Sequence, residues 1–535
     1  MQARKRMEGL KNSERQKSGI IHFIRRGAEL HPGRIAIDDQ LNGRRLSYSE
    51  LHERINRLSR ALIGLGIGKG DFVAAMMPNE HSLVETIFAC AQIGAIVTPI
   101  NVRLIDSEVS EYVTDHQCKA AIANSRFADR FEGTRIANRI CVGDRLEGWQ
   151  YYEALIAEQE GILPVATTML DDPYRLVMTG GTTGKSKGVL HSQGGTVITV
   201  LSDVVEYGIG RGWKTVSILP GYHVAGMEWG MFSVFSRAGT VIFPSDISFD
   251  PNAYLELVRG RGVEYLPLVP AIINALWDAW DRKPIITVRT VVTTAAPTPL
   301  PLRQKLAEIF PEANIFAAAG LSESLNMATQ GAGEFLTQPE AIGEPHIDTR
   351  IVILDDDDRP VPRGMPGQIV MRNFNTALGY HKDPAAAAVT WRPRRGDPEN
   401  LHWCFTGDIG VMDEDGRLTL VDRSKDVIKS GGESVPSVEV ETVYAGHPAL
   451  RELAVIGVED EKWGEAVVLV AVLNSGKTDP ADIAASLFSF GREKIAAYKV
   501  PKKIAFVESL PRSHFGKVLK RDLREAVFDR IFEPN

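Results

Sequence analysis

The stretch YRLVMTGGTTGKSKGVLH, Tyr174–His191, decides how the rest of the chain is read. Arg175 to Met178 are mostly apolar and predict a short buried strand, which runs straight into a loop of glycine, threonine and lysine ending at Gly188. Glycines let a backbone turn tightly and bring its N–H groups close to an anion. The hydroxyls of Thr182 and Thr183 add donors, and Lys185 and Lys187 add positive charge. A loop that only closes a hairpin has no need of two threonines and two lysines. The composition points to phosphate, carried by a nucleoside triphosphate.

Two other nucleotide loops are set aside, the first on spacing and the second on its place relative to a helix. Gly184-Lys185-Ser186 matches the end of G-x-x-x-x-G-K-[ST], but the first glycine of that pattern would have to stand at Thr179. Ala471–Thr478, AVLNSGKT, comes nearer. There Asp479 and Pro480 read as the cap and first residue of the next helix, leaving the lysine and threonine outside the helix that should hold the phosphates.

The 535 residues suffice for roughly three or four domains' worth of chain, and 44% hydrophobic with 24% charged residues is ordinary for a globular protein. No apolar run reaches the roughly 18 residues of a membrane span. A net charge of -7 argues against a nucleic-acid partner, whose footprint is a basic excess. Cys90, Cys118, Cys141 and Cys404 lie far apart without a C-x-x-C pair, so neither a zinc site nor a disulfide framework is expected, and a cytoplasmic location is the default. Residues 1–19 are basic and polar without an apolar core, which predicts a flexible arm rather than a secretory signal.

From Ile20 onward helical and strand-like patterns alternate. Tyr48 to Gly64 carries Leu51, Ile55, Leu58 and Leu62 on one helical face, with Ser47 and Glu50 as a capping box. Asp71 to Met77 and Ala95 to Ile100 read as strands around a helix from Ser82 to Ile93. After the glycine loop the alternation resumes. Thr215 to Leu219, Thr240 to Phe243, Val263 to Leu268 and Val288 to Thr294 read as strands; Tyr254 to Arg259, Ala271 to Trp280 and Leu300 to Phe310 read as helices. Two α/β sheets in succession account for this much of the chain. From about 341 to 422 short strands between Gly, Pro and Asp clusters suggest a small β-barrel, and a compact α+β unit fills 423–535.

Thr179–Gly188, TGGTTGKSKG, resembles the T-S-G-T-T-G-x-P-K-G phosphate loop of the adenylate-forming superfamily: acyl-CoA synthetases, luciferases and the adenylation domains of peptide synthetases. Gly180 stands where the family has serine, and Ser186 where it has proline. Further blocks extend the resemblance from about Ile20 to Lys520 in the family's order: PGYHVAG at Pro220–Gly226, TAAP at Thr294–Pro297, GLSE at Gly320–Glu323, WCFTGD at Trp403–Asp408, DRSKDVIK at Asp422–Lys429 and PRSHFGK at Pro511–Lys517.

The resemblance implies a large N-terminal domain over 20–422, with two α/β sheet subdomains and the barrel, and a mobile C-terminal α+β domain hinged at 422–425 with Lys425 as the hinge residue. It implies roles as well. Thr179, Gly180, Gly181, Thr182, Thr183, Gly184 and Lys187 would hold the phosphates of ATP, and Ala295, Ala296 and Pro297 would pass the adenine. Gly320, Leu321 and Ser322 would complete the nucleotide site, with Asp408 at the ribose and Arg423 at ribose or phosphate. Glu323 would hold Mg²⁺, since a hard cation prefers carboxylate oxygen; its plainer reading is an acid at a helix N-terminus beside Ser322 as cap. Lys517, placed in the catalytic set with His223, would bring a flexible point charge to the carboxylate and the α-phosphate. Ser430, Gly431 and Gly432 would line the tunnel for coenzyme A.

His223, Gly226 and Ala318 would border the acyl pocket. His223 stands where amino-acid-adenylating relatives place an aspartate, which implies a plain carboxylic acid. Ala319 replaces the aromatic residue that usually stacks on adenine, and the run Ala317-Ala318-Ala319 leaves room for a bulky or long acyl group, fatty or otherwise hydrophobic. The expected reaction activates the acid with ATP to an acyl-adenylate and transfers the acyl group to coenzyme A, releasing AMP and pyrophosphate. Small molecules are the expected partners, and a homodimer is compatible with the family. Transfer to a carrier protein is the alternative, though a carrier domain would normally follow and the sequence ends at Asn535. A non-catalytic nucleotide-binding relative is the other, opposed by retention of Lys187, Glu323, Asp408 and Lys517.

Overall fold

The structure, a computed structural model, describes residues 19–161, 168–179, 187–423, 426–430, 433–460, 463–474, 479–512, 518–526, 528 and 531–534. Helix Tyr48–Gly64 starts as its capping box dictates: Ser47 Oγ accepts from the Glu50 N–H at 3.3 Å, and Glu50 Oε2 accepts from the Ser47 N–H at 2.8 Å. Its Leu51, Ile55, Leu58 and Leu62 are all fully buried. Helix His81–Ile93 is buried on every side, its polar His81, Ser82, Glu85, Thr86 and Gln92 included. Its one deep carboxylate, Glu85, is matched by Arg54 at 2.6 Å and by the Tyr152 hydroxyl at 2.8 Å.

One sheet has eight strands. Parallel strands Ile96–Pro99, Phe72–Met76, Ala120–Asn124, Asn138–Val142 and Gln150–Tyr151 stand beside Pro173–Thr179 (β1), which pairs antiparallel with Lys187–Ser192 (β2); the short strand Gly379–Tyr380 closes the edge on β2. The other sheet has nine strands, with a parallel centre formed by Ile35–Asp39, Thr240–Phe243, Lys214–Val216, Tyr265–Leu268, Thr290–Thr293 (β3) and Asn314–Leu321 (β4). Leu325–Gln330 (β5) then folds back antiparallel on β4.

The two sheets do not simply follow one another along the chain. Ile35–Asp39 and Arg44–Ser47 belong to the second sheet, where Ile37 pairs with Val241, and Gly379–Tyr380 belongs to the first. Strand-like spacing alone carries no information about which distant partner supplies the open edge. Helices Gln193–Glu206 (α1) and Val224–Met227 (α2) pack between the sheets.

Residues 341–422 form a five-stranded antiparallel sheet with one short helix, Pro384–Thr390; its strands include His402–Met412 (β6) and Leu418–Arg423 (β7). Beyond it, Leu450–Asp460 and Gly464–Leu473 make a long antiparallel pair covered by helices Ser437–Tyr444 and Pro480–Lys494. Asp479 caps the latter helix through Ala481 N at 2.8 Å, with Pro480 as its first residue.

Candidate active site

The phosphate loop, PGYHVAG, TAAP and GLSE follow or end parallel strands, where the loops of an open α/β sheet leave a crevice, whereas WCFTGD lies in the antiparallel sheet. At the end of β1, Thr179 pairs with Lys187, the first residue of β2, and its hydroxyl donates to the Lys187 carbonyl at 3.4 Å. Gly180, Gly181, Thr182, Thr183 and Gly184 lie outside the described residues. The loop therefore joins an antiparallel pair, and a hairpin connection does not conflict with phosphate binding. A strand rather than a helix follows it, with α1 starting only at Gln193.

Beyond β3 the chain turns sharply at Ala295, whose φ of +72° is uncommon for a residue with a Cβ, and Ala295, Ala296 and Pro297 are exposed. The turn is anchored from behind. Arg303, almost wholly buried, donates to the carbonyls of Thr298 (2.5 Å), Phe335 (2.7 Å) and Pro339 (2.9 Å) and to Gln330 Oε1, while Thr293 and Thr298 join hydroxyls at 2.9 Å. Burial lowers the Arg303 pKa to about 10, so it stays charged at neutral pH.

Gly320, Leu321, Ser322 and Glu323 run from β4 into the turn before β5, with Leu321 paired to Leu325. The reading of Glu323 as an acid at a helix N-terminus fails, because a β-hairpin turn occupies this position. A Cβ on Gly320 would stand 2.1 Å from the Leu325 carbonyl oxygen, so the bend in the hairpin requires glycine. The half-buried Glu323 accepts from the Tyr380 hydroxyl at 2.8 Å through Oε1, and its carbonyl accepts from Ala377 N at 3.1 Å. Lys187 Nζ lies 4.9 Å from the centre of the Tyr380 ring. Thus β2, the β4–β5 turn and the segment around Tyr380 bring the lysine of the phosphate loop and the candidate metal carboxylate to one tyrosine.

Asp408, buried on β6, stands directly opposite Arg423 on β7, and its N–H donates to Thr406 Oγ1 at 3.1 Å. Asp422, next to Arg423, accepts from the Ser437 N–H. Ser430 is buried at the end of its strand, opposite Glu433, with no hydrogen-bond partner for Oγ among the described residues. Lys425, Gly431, Gly432 and Lys517 lie outside the described residues.

The loop after Lys214–Val216 is fastened by Asn79, which donates to the carbonyls of Ser217 and Leu219 and accepts from Gly221 N at 2.7 Å. His223 follows as the half-buried cap of α2, its Nδ1 accepting from Ala225 N at 3.3 Å. In the neutral ring that leaves the proton on Nε2. A Cβ on Gly226 would meet the Pro220 carbonyl oxygen at 2.0 Å, so glycine lets the helix return against its own loop. Ala318 on β4 belongs to the same apolar cluster as Val224, Met227, Trp229 and Tyr265.

A cleft of about 700 Å³ lies at the opposite end of the second sheet, where Trp213, Glu264, Arg289 and Asn314 mark the starts of its strands. It is remote from all the blocks above. Sequence reading missed Tyr380, Arg303 and Asn373. Asn373 Nδ2 donates to the carbonyls of Ser324 (2.5 Å) and Asn326 (3.2 Å), holding the Glu323 turn from the five-stranded sheet. Only Tyr380 left a signal, as an aromatic residue following a glycine.

Blocks of this kind at the mouths of these strands define an adenylate-forming ligase. The AMP-binding enzyme model matches residues 24–381 and the AMP-binding enzyme C-terminal domain matches 439–517, so the chain belongs to the AMP-binding enzyme family, within the adenylate-forming superfamily. A 2-succinylbenzoate–CoA ligase of Geobacillus sp. (strain WCH70) is 30% identical over 519 residues, covering 96% of this chain and 98% of its own. A feruloyl-CoA synthase of Amycolatopsis sp. is 30% identical over 524 residues, covering 95% and 99%. The solved o-succinylbenzoate CoA synthetase of Bacillus subtilis, in complex with the acyl-adenylate intermediate OSB-AMP, superposes with a TM-score of 0.81 at 25% identity, covering 95% and 98%.

The protein is accordingly an AMP-forming carboxylic acid:CoA ligase that uses ATP, Mg²⁺ and coenzyme A. Among the described residues no helix is long and apolar enough to cross a membrane, and no three His, Cys, Asp or Glu side chains form a metal cluster. A lone carboxylate still fits Mg²⁺, which keeps water and substrate phosphate oxygens as its other ligands. Glu323 qualifies chemically: Tyr380 occupies one of its oxygens and the other remains for the ion.

Proposed function

We propose that the acid is a compact aromatic one, activated at the residues assigned above and passed to coenzyme A. The observation that carries this is the buried apolar cluster to which Ala318 belongs. Ala317, Ala318 and Ala319 on β4 are small, and Ala318 shares one apolar cluster with Met227, Trp229, Phe232 and Tyr265, all of them buried. A flat ring placed beside small alanines disturbs this packing little, whereas a long alkyl chain reaching into it would have to displace packed side chains, at roughly 1–3 kcal/mol or more for each misfit. The names of the relatives point the same way, with succinylbenzoate and ferulate as their acids. The long fatty acid is the second reading, favoured by the alanine run alone.

In this reading Lys187 and the phosphate loop hold the triphosphate, Glu323 holds Mg²⁺ when the ion is bound, and Asp408 and Arg423 receive the ribose. His223 borders the acid. Lys517 stabilises charge at the α-phosphate, and turning about Lys425 then brings Ser430, Gly431 and Gly432 to the thiol in a cytoplasmic enzyme. Pyrophosphate release with a panel of acids, with and without CoA, tests it. Succinylbenzoate, ferulate or phenylacetate should exceed hexanoate and palmitate, and His223→Ala should reorder the panel with little change in the ATP KM. Preference for palmitate would overturn the aromatic assignment. Wild-type adenylation by Lys517→Ala would remove that residue from the chemistry.

A further inference from the structure

Tyr380 sits where three parts of the fold meet. Its strand pairs with β2, Gly379 opposite Leu190 and Tyr380 opposite Val189, and the pairing continues through Leu378 N to the Leu190 carbonyl (2.9 Å) and His381 N to the Gly188 carbonyl (2.8 Å). Just upstream, Ala377 N is bonded to the Glu323 carbonyl of the β4–β5 turn. Behind the ring stands Trp391 of the five-stranded sheet, centroid to centroid 4.8 Å. The ring therefore has a rigid back and a fixed backbone.

Its two remaining faces carry the charges of the site. The hydroxyl donates to Glu323 Oε1, and Lys187 Nζ lies over the π face. Lys187 and Glu323 make no ion pair within 4 Å among the described residues, although both approach the same ring. An ion pair between them would engage both groups with each other and leave each less available to phosphate and metal.

We propose that Tyr380 is a positioning residue for adenylation: its hydroxyl aims Glu323 at the metal, and its ring separates Lys187 from Glu323 so that each keeps its charge for Mg²⁺-ATP. This rests on the reading of Glu323 as the metal carboxylate and Lys187 as a phosphate ligand. The test is the Mg²⁺ dependence of ATP–pyrophosphate exchange, measured beside thioester formation from synthetic acyl-adenylate. Tyr380→Phe keeps the ring and its packing and loses only the hydroxyl. It should raise the Mg²⁺ needed for half-maximal exchange by on the order of tenfold, the usual weight of a hydrogen bond to a charged group, and leave the thioester step unchanged. A purely structural role would slow both steps and leave the Mg²⁺ midpoint in place. Glu323→Gln is the reference, and the double variant should be no worse than Glu323→Gln alone, because Tyr380 acts through that carboxylate. A shifted midpoint in Glu323→Gln with a wild-type midpoint in Tyr380→Phe overturns the proposal alone. A wild-type midpoint in Glu323→Gln overturns the metal reading and the proposal with it.

Discussion

The hairpin that carries Thr179 and Lys187 and the hairpin that carries Glu323 both end at the candidate site, but they reach it by different means. The first joins β1 to β2 through a run whose glycines, threonines and lysines are the proposed phosphate ligands, so in that reading its function is spread over many donors within one short stretch. The second presents one carboxylate. Its turn is held by residues roughly fifty positions downstream, with Asn373 on the Ser324 and Asn326 carbonyls, Ala377 on the Glu323 carbonyl and Tyr380 on the carboxylate. A distributed site loses little when one group is removed. A concentrated site should fail when its single group, or the frame behind it, is altered.

Removing that carboxylate is the most severe break. Glu323→Ala should slow adenylation by roughly 10²–10³, the usual weight of one preorganised charge contact in a dry site, and spare thioester formation from pre-made adenylate. Measuring both half-reactions in single turnover decides it, and equal losses in both would deny that the second hairpin is a metal ligand. Removing the frame comes next. Asn373→Ala deletes two donated bonds and strands the Ser324 hydroxyl, which donates to Asn373 Oδ1 at 3.3 Å. Buried groups left unpaired cost about 1–3 kcal/mol each, so a loss of about 3 kcal/mol in urea unfolding, with slower adenylation at saturating ATP, is expected. A stable variant with a wild-type rate would mean that the turn holds itself.

The comparison also explains what the sequence revealed. Where a function resides in composition, as in TGGTTGKSKG, or in periodicity, as in Tyr48–Gly64 with its capping box, local reading suffices. The elements that periodicity singled out, such as Thr240–Phe243 and Leu300–Ile309, lie within a few residues of their expected bounds, whereas strands Ala120–Asn124, Asn138–Val142 and Asn314–Leu321 and helix Gln193–Glu206 were not singled out. Which sheet Ile35–Asp39 would join was not legible, since parallel pairing with Thr240–Phe243 is settled by packing two hundred residues away. Nor were Asn373 and Arg303 legible: an Asn in a strand and an Arg in a helix look like solvated polar residues until their carbonyl partners are known. GLSE was legible as a motif, but its hairpin setting was not.

The second hairpin is also supported from beneath by titrating groups, which predicts a pH dependence. Asn326 on β5 donates to Asp203 Oδ1 at 2.8 Å, and His346 Nε2 lies 3.5 Å from the same carboxylate. Burial lifts the Asp203 pKa to about 8. Burial pulls His346 down, but Asp348 at 2.8 Å and Asp203 outweigh it and leave the imidazole above its ordinary value. Both shifts are upward, so between pH 6.5 and about 8 the folded pair keeps a proton that the unfolded chain has released, and stability falls as pH rises. One proton is worth about 1.4 kcal/mol per pH unit, so the loss across that window is about 2 kcal/mol. Urea midpoints of the wild type and Asp203→Asn at pH 6, 7 and 8 isolate the pair. His81, whose burial is outweighed by its bond to Asp39 and which is lifted to about 9, slopes the same way in both proteins. Parallel slopes would remove Asp203 and His346 from the account.

The smallest expected effect is on the first hairpin, and it tests the distributed half of the comparison. Gly180 carries no hydroxyl, so the loop's side-chain hydroxyls are those of Thr179, Thr182, Thr183 and Ser186. Thr182→Val removes one of them while conserving shape and the backbone N–H. A neutral hydroxyl contributes about 0.5–1.5 kcal/mol when its alternative is water, which is about two- to tenfold in affinity. The loss should appear as a higher KM for ATP in pyrophosphate exchange. The maximal rate should change little, because neighbouring donors still hold the triphosphate, and the Mg²⁺ midpoint should not move, because Glu323 and Tyr380 are untouched. A hundredfold fall in the maximal rate, or a shifted Mg²⁺ midpoint, would mean that the phosphate loop concentrates its function in one side chain as the Glu323 turn does.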